Sequence, residues 1–298
     1  MDAAETFHVA APAATSLAAL AADASIEVTP KAARTDELRR LVRPGSDVFL
    51  THLPGDTIHT RANATAAIAA AGMTPVPHVA AREAVDETAL AQDVAALLDA
   101  GAGGFMLIGG GGAQKGPFFD ALAVLQTGVL QRAGVMQIGL AGHPEGHPQV
   151  SDTGLLEALK AKLAIAQSFA KDVTIVSQFV FDPLPLLAWV EALRSQGVGA
   201  KVRVGLSGPA SPATLLSYAL RCGIGPSLKA LQSKPSLTSY MTRRWRPDAL
   251  AEAVAQAAVA DPALGIDGLH IFPFGGLKAA GEWLRDVGAD AALPHGAS

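Results

Sequence analysis

The sequence is poor in cysteine, in charge and in long apolar runs. Cys222 is its single cysteine, which excludes a disulfide framework within the chain and suits a reducing, cytoplasmic compartment. No run reaches the roughly 18 apolar residues that a membrane-spanning helix needs, and no basic start followed by an apolar stretch indicates a signal peptide. The formal net charge of −4 comes without a basic stripe, so neither a membrane nor a nucleic acid is an expected partner.

The sequence does contain enough apolar material for a sizeable core. Of the 298 residues, 50% are hydrophobic and only 17% are charged. A chain of this length accommodates one large domain or two ordinary ones. No linker or break in composition separates two parts, so we expect one domain over residues 18–298, preceded by a loose or partly helical leader over residues 1–17. The oligomeric state is left open, and a homo-oligomer is compatible with the sequence.

Short apolar runs alternate along the chain with longer segments of helical period. The runs are rich in Val, Ile, Leu and Phe, which is typical of strands buried on both faces of a parallel sheet. Candidate strands cover residues 25–29, 47–52, 74–80, 104–108, 136–141, 173–181, 201–206 and 268–272. Candidate helices cover residues 35–42, 60–71, 87–100, 118–133, 154–170, 185–196, 212–222 and 278–287, and more than one helix is expected within 229–259.

Eight strand–helix units in succession match the order and length of a (β/α)8 barrel, or TIM barrel. A doubly wound open sheet has the same alternation and stays an alternative, although eight regular units favour closure. In such a barrel the active site lies at the C-terminal ends of the strands. Glu27 stands out near one of these ends, because burying a carboxylate in an apolar strand is costly unless it is paired or used.

Four consecutive glycines, Gly109 to Gly112, follow the fourth apolar run in the segment LIGGGGAQKGPF. Glycine has the most backbone freedom to lose, so a run of four needs a reason. Three reasons fit the position: a flexible turn, a cradle of backbone N–H groups for a phosphate, or a wall from which side chains have been removed. The run matches the G-x-G-x-x-G dinucleotide fingerprint poorly.

Five short motifs occur in order and at consistent distances: SIEVTPK (25–31), PHVAAR (77–82), AGHPEGHP (141–148), LKAK (159–162) and SQFVFD (177–182). Together they resemble the methylenetetrahydrofolate reductase family in its short, barrel-only form. The resemblance covers residues 25–182 and is weak beyond them. It implies a (β/α)8 barrel that reduces 5,10-methylenetetrahydrofolate to 5-methyltetrahydrofolate. Members of the family usually carry FAD and take electrons from NADH or NADPH.

The resemblance implies roles on the folate side of the site. Glu27 matches the acid that protonates the bridging nitrogen, opens the imidazolidine ring and exposes a methylene-iminium carbon to hydride. We expect its apolar strand to raise the pKa of Glu27 by desolvation and to keep the carboxyl protonated near neutral pH. Gln178 matches the residue whose amide hydrogen-bonds the pterin. Thr51 and Phe181 are assigned to the same folate site.

The cofactor side departs from the family. The family's fourth strand ends in Leu-Arg-Gly-Asp, whereas this chain has Ile108, Gly109 and Gly110 after the leucine, and His143 replaces a flavin-packing tyrosine. Because the losses fall on the flavin side, we expect NADH or NADPH to deliver hydride directly, without tightly bound FAD; an FAD-dependent form is the alternative. The residues assigned to the NAD(P)H or flavin site are His78, Gly109, Gly110, Gly111, Ala141, His143, His147 and Lys162.

Two interpretations of another class stay open. One is a metal-dependent barrel hydrolase or aldolase, with ligands drawn from Glu27, His52, His78, His143 and His147. Pro144 and Gly146 argue against the helix that would align the two histidines of HPEGH, so we expect no metal. The other is a folate-binding barrel that has lost catalysis together with its flavin. The presence of the acid in SIEV argues against that interpretation.

Overall fold

Eight parallel strands close into one barrel in this computed structural model, which describes residues 17–222 and 245–289. The strands are β1 (Ser25–Val28), β2 (Asp47–Leu50), β3 (Thr74–Ala80), β4 (Phe105–Ile108), β5 (Gln137–Gly142), β6 (Asp172–Val180), β7 (Lys201–Ser207) and β8 (Ile266–Phe272). Each strand pairs with the next, and β8 returns to pair with β1. The expected (β/α)8 barrel is therefore confirmed, and the open sheet is wrong.

Helices cover the outside of the barrel. Within the described ranges they are α1 (Leu17–Ala22), α2 (Thr35–Leu41), α3 (Ile58–Ala70), α4 (Glu87–Asp99), α5 (Ala121–Gln126), α6 (Val129–Arg132), α7 (Asp152–Gln167), α8 (Pro183–Ser195), α9 (Pro212–Cys222), α10 (Asp248–Ala260) and α11 (Leu277–Ala289). None of these described helices is both long enough and apolar enough to cross a membrane.

Successive side chains of each strand point to opposite faces, so one core lies between the strands and the helices and another lies inside the barrel. Ile26 and Val28 of β1 pack outward in the large core between strands and helices, so Ser25 and Glu27 face the barrel interior. A second cluster fills the interior and consists of Phe49, Val76, Met106 and Val176. Val76 lies two residues before His78 on β3, and Val176 lies two residues before Gln178 on β6. These polar side chains therefore form the next interior layer, toward the C-terminal ends of the strands.

The predicted single helix over residues 118–133 is wrong. Gly128 has a φ of 70°, in the left-handed region, and separates α5 from α6. The Thr127 hydroxyl stabilises this break, since it donates to the carbonyl oxygen of Val124 at 2.7 Å and accepts from the N–H of Val129 at 3.1 Å. Most of the predicted leader, and residues 229–244 of the predicted helical stretch 229–259, lie outside the described residues.

Candidate active site

A cavity of about 530 Å³ opens at the C-terminal ends of the strands. Gly109 comes directly after β4 and His143 directly after β5, so the strand ends themselves supply its wall. The described wall contains every site residue predicted from the sequence except Thr51 and Phe181. It also includes Phe49, Arg82, Met106, Phe119, Asp120, Ser177, His270 and Phe272.

Glu27 reaches this cavity from β1 with 18% of its side chain exposed. Its Oε2 atom lies 3.5 Å from Nε2 of His78 and 3.9 Å from Nε2 of His270. Burial raises the pKa of Glu27, but the side-chain contact with His270 and the charged forms of both histidines outweigh it. The pKa of Glu27 therefore lies below its ordinary value of 4.5. The expected raised pKa is wrong, because desolvation is opposed by two histidines from other strands.

His78 on β3 is a neutral member of this group. Burial lowers its pKa to about 4, although the field of Glu27 acts in the opposite direction. Arg61 of α3, itself buried, donates to the carbonyl oxygen of His78 and adds a positive field that disfavours a proton on the ring. The Nε2 atom of His78 has no hydrogen-bond partner among the described residues. A buried ring nitrogen in this state is suited to a polar group of a ligand.

His270 is a site residue that the sequence motifs did not include. It lies in β8, is 1% exposed, and stands in register with Ser25 where β8 meets β1. Its Nδ1 atom lies 2.9 Å from the hydroxyl oxygen of Ser25, which also donates to the carbonyl oxygen of Leu269 at 3.3 Å. The rings of Phe49 and Phe272 pack edge-on against the imidazole. A histidine inside the apolar run GLHIF gave the same kind of signal as the glutamate inside SIEV.

A β-bulge in β6 lies at Gln178, one of the residues on the cavity wall. The register with β7 shifts between Val176 and Phe179, and bulges next to active sites commonly re-aim a side chain. The Ser177 hydroxyl accepts a 2.8 Å hydrogen bond from the N–H of Gly205 and donates a 2.9 Å bond to the carbonyl oxygen of Gln178. The bulge therefore has a side-chain support of its own.

The glycine run forms an open wall after β4. A Cβ atom built on Gly111 meets no described atom within 4 Å, and one on Gly109 meets only the carbonyl oxygen of Phe119 at 4.0 Å. Gly110 has a φ of +89°, and a Cβ there would lie 3.2 Å from that of Ala80. The run therefore supplies both a left-handed turn and unfilled space beside the cavity.

Arg82 stands beside this glycine wall. Its guanidinium lies 4.5 Å from the centre of the Phe119 ring, and its Nε donates to the carbonyl oxygen of the same residue at 3.1 Å. Its own N–H donates to the carbonyl oxygen of Gly109 at 3.0 Å. Arg82 forms no ion pair with a carboxylate in the described part of the chain, so its charge is available to an anionic group in the cavity.

The end of β5 and helix α7 supply another part of the wall. Ala141 lies within β5, and the rings of His143 and His147 meet edge to face in the following turn, 5.7 Å apart. Burial lowers the pKa of His143 to about 4, and the charge of Lys162 contributes in the same direction. Burial also lowers the pKa of Lys162, against the field of Asp120. This part of the cavity combines the cation of Lys162 with the neutral imidazole of His143.

Thr51 and Phe181 are not on the described cavity wall. Thr51 follows β2, and its hydroxyl oxygen is buried without a hydrogen-bond partner among the described residues. Phe181 follows β6 and contacts Phe179 and Trp245 edge-on, with ring centres 5.6 Å apart in both pairs. Phe179 contacts Phe272 of the cavity wall in turn. The roles of Thr51 and Phe181 in binding folate stay predictions.

The ligand set of the metal-enzyme interpretation is not assembled in the described chain. Within residues 17–222 and 245–289, no three His, Cys, Asp or Glu side chains come together as metal ligands. The segment HPEGH is a turn after β5, as Pro144 and Gly146 predict. The rings of its two histidines contact each other edge to face.

Comparison with known proteins shows the fold. No family model matches the chain. It is similar to a protein from Clostridium thermocellum described as binding two copies of 5-methyl-5,6,7,8-tetrahydrofolic acid, with 10% identity, a TM-score of 0.58, and coverage of 90% of this chain and 95% of that one. It is also similar to dihydropteroate synthase from Thermus thermophilus, with 14% identity, a TM-score of 0.50, and coverage of 91% and 93%. At such identities the shared property is the barrel.

Proposed function

We propose that this protein reduces 5,10-methylenetetrahydrofolate to 5-methyltetrahydrofolate with NADH or NADPH, by direct hydride transfer. The observation that carries the proposal is that Glu27, Gln178 and the glycine wall line one cavity. They meet three needs of the reaction. The bridging nitrogen needs a proton, the pterin edge needs a hydrogen-bond donor and acceptor, and the nicotinamide needs room next to the folate.

Each step of the reaction has a residue that serves it. The proton passes from Glu27 to the bridging nitrogen of the imidazolidine ring, and the bond from this nitrogen to the methylene carbon breaks with its electron pair on the nitrogen. The methylene carbon and the other ring nitrogen become an iminium ion. A hydride from the dihydronicotinamide adds to that carbon and leaves the oxidised cofactor. Gln178 holds the pterin so that the carbon faces the hydride donor.

The wall after β4 supports a cofactor other than a tightly held flavin. The charged pair of the resembled family is replaced by glycines, and a Cβ on Gly111 meets no described atom within 4 Å. Arg82 and Lys162 line the same cavity and are suited to the diphosphate of a dinucleotide. The arrangement therefore favours a nicotinamide dinucleotide that binds and leaves in each cycle, and we derive no step through FAD.

A non-catalytic folate-binding barrel is the second candidate. The similarity to a barrel described as binding 5-methyltetrahydrofolic acid favours it, and it supports a folate ligand for the first candidate as well. Glu27 separates the two. Its carboxylate lies 3.5 Å and 3.9 Å from two buried histidines, an arrangement suited to proton transfer, and this supports the first candidate.

The deciding experiment is an absorbance spectrum of the purified protein, followed by addition of NADH or NADPH and methylenetetrahydrofolate with and without FAD. We expect no flavin band, and folate-dependent oxidation of the nicotinamide without added flavin. A bound flavin, or turnover only with FAD, would replace direct transfer by the FAD-dependent form. Folate binding without turnover would establish the second candidate, and absence of both would overturn the folate assignment.

A further inference from the structure

We propose that Ser25 and His270 are positioning residues for proton transfer, and that His270 holds the proton which Glu27 delivers. The inference rests on the proposed function for the identity of the reaction, but the array itself is a property of the folded chain. Neither residue is assigned to folate or cofactor contact, since both act through Glu27. The three side chains come from β1 and β8, the first and last strands of the barrel.

The direction of the hydrogen bonds follows from a backbone carbonyl, which can only accept. Ser25 donates its single hydroxyl proton to the carbonyl oxygen of Leu269. The serine oxygen is then available to accept from Nδ1–H of His270, 2.9 Å away, in the tautomer that the proposal assigns. In that tautomer Nε2 is the nitrogen left to exchange a proton, and it faces Oε2 of Glu27 at 3.9 Å. Hydrogen bonds of catalytic groups are often long before substrate binds and shorten in the complex.

We assign the proton to His270 because Ser25 anchors its ring with Nε2 toward Glu27. The lowered pKa of Glu27 means that this carboxyl is ionised near neutral pH in the unliganded protein. His78 faces Glu27 from β3 but is neutral above about pH 4, because burial and the charge of Arg61 oppose its protonation. The uncharged rings of Phe49 and Phe272 pack edge-on against the His270 imidazole.

The proton balance of the step is simple. The proton on Nε2 of His270 moves to the ionised Glu27 carboxylate, which passes a proton to the bridging nitrogen of the folate. The histidine changes from imidazolium to neutral imidazole, and the glutamate ends as it began. The electron pair of the broken carbon–nitrogen bond stays on the folate nitrogen, and the nicotinamide supplies the hydride. Solvent returns one proton to the pair after the products leave.

The pH dependence of kcat tests the array in the full-length protein. His270→Gln is expected to lower kcat by roughly 10- to 100-fold, the usual scale for a lost proton-transfer group. The pH at which the rate falls on the alkaline side should shift downward, and the KM for folate should stay within a few-fold. Ser25→Ala should shift the profile in the same direction with a smaller loss. His59→Gln, on the exposed face of α3, is the matched control and should match the wild type.

Nuclear magnetic resonance tests the array without a substitution at His270. With isotope-labelled histidine, we expect the neutral ring of His270 to carry its proton on Nδ1 and not on Nε2. We also expect the Nε2 resonance of His270 to shift in Glu27→Gln at constant pH, because the carboxylate partner is lost. A neutral form protonated only on Nε2, or an Nε2 resonance that Glu27→Gln does not move, would overturn the inference.

The outcomes separate this inference from the proposed function. If wild-type protein does not turn over but the Nε2 resonance of His270 responds to Glu27→Gln, the proposed function fails and the array stands. If the wild type reduces methylenetetrahydrofolate and folded His270→Gln keeps its kcat and pH profile, the function stands and the array is wrong.

Discussion

The N–H of Gly205 donates a 2.8 Å hydrogen bond to the hydroxyl of Ser177, and the two backbones lie so close that no side chain fits between them. A Cβ atom on Gly205 would lie 2.3 Å from the carbonyl oxygen of Ser177 and 2.8 Å from that of Gln178. The position of Gln178 on β6, whose amide is proposed to bind the pterin, therefore depends on a glycine of β7.

Gly205→Ala is expected to weaken folate binding by displacing the bulge. The loss should approach that of Gln178→Ala, about 1–3 kcal/mol or roughly 10- to 100-fold in Kd, because polar groups of the pterin lose their partner. Isothermal titration with a reduced folate measures it. Gly199→Ala is the control, since a Cβ there meets no described atom within 4 Å. Unchanged Kd values in folded Gly205→Ala would contradict the role of the bulge.

Glu27→Gln is expected to separate binding from chemistry. The amide keeps the size of the side chain but cannot donate the proton, so turnover should fall by roughly 100-fold or more while the Kd for folate stays within a few-fold. Glu191→Gln, at an exposed position of α8, removes a carboxylate outside the cavity and should have no effect. Single-turnover oxidation of the nicotinamide measures the step, and near wild-type rates would remove Glu27 as the acid.

Gly111→Leu is expected to fill the open wall. The residue has no left-handed backbone and a Cβ there meets no described atom within 4 Å, so the variant should keep its Tm. The side chain would occupy the proposed nicotinamide space and raise the KM for NADH or NADPH by roughly 10-fold, the scale of a 1.4 kcal/mol loss, without changing folate affinity. Gly199→Leu controls for an added exposed leucine. If folate affinity falls and the KM for the nicotinamide does not, the two ligands are placed wrongly.

His143 is expected to make the protein less stable in mild acid. Its pKa is about 4 in the folded protein against an ordinary 6.5, so between these values the unfolded chain binds a proton that the folded chain does not. The free energy of unfolding therefore decreases as the pH falls through this range and levels off below about 4. His143→Gln should remove about 1–2 kcal/mol of the decrease, since part of the side chain stays solvated.

Urea denaturation at a series of pH values measures this effect, with His59→Gln as the reference. Carboxylates also contribute to the loss in acid, so the informative quantity is the difference between variant and wild type. Parallel curves for His143→Gln and the wild type would show that the histidine is solvated in the folded state.

The fold was predictable because the apolar runs that mark buried strands can be recognised in short stretches of sequence. The predicted strand Thr74–Ala80 and the predicted helix Pro212–Cys222 match the structure to the residue, since their apolar runs end at clear polar or turn signals. The prediction of one helix over 118–133 was wrong because a glycine in a helical pattern is tolerated at some positions and ends the helix at others. Gly128 took the left-handed conformation and ended it.

The site was predictable only in part. The position of Glu27 could be inferred from its apolar strand, but its pKa depends on a histidine from the far end of the chain. Sequence spacing gives no sign that His270 stands beside Glu27, because that contact exists only after β8 pairs with β1. The bulge at Gln178 is equally hidden, since it needs the hydroxyl of Ser177 and the missing side chain of Gly205 together.

Ser25 and His270 are 245 positions apart in the chain and meet where β8 pairs with β1 to close the barrel. A chain that lacks this one pairing would keep the other strand pairs and much of the core, yet no complete proton array. Recovery of the proposed turnover during refolding would therefore report ring closure, whereas circular dichroism would report helix formation. The proposed catalysis thus depends on the pairing of the first strand with the last.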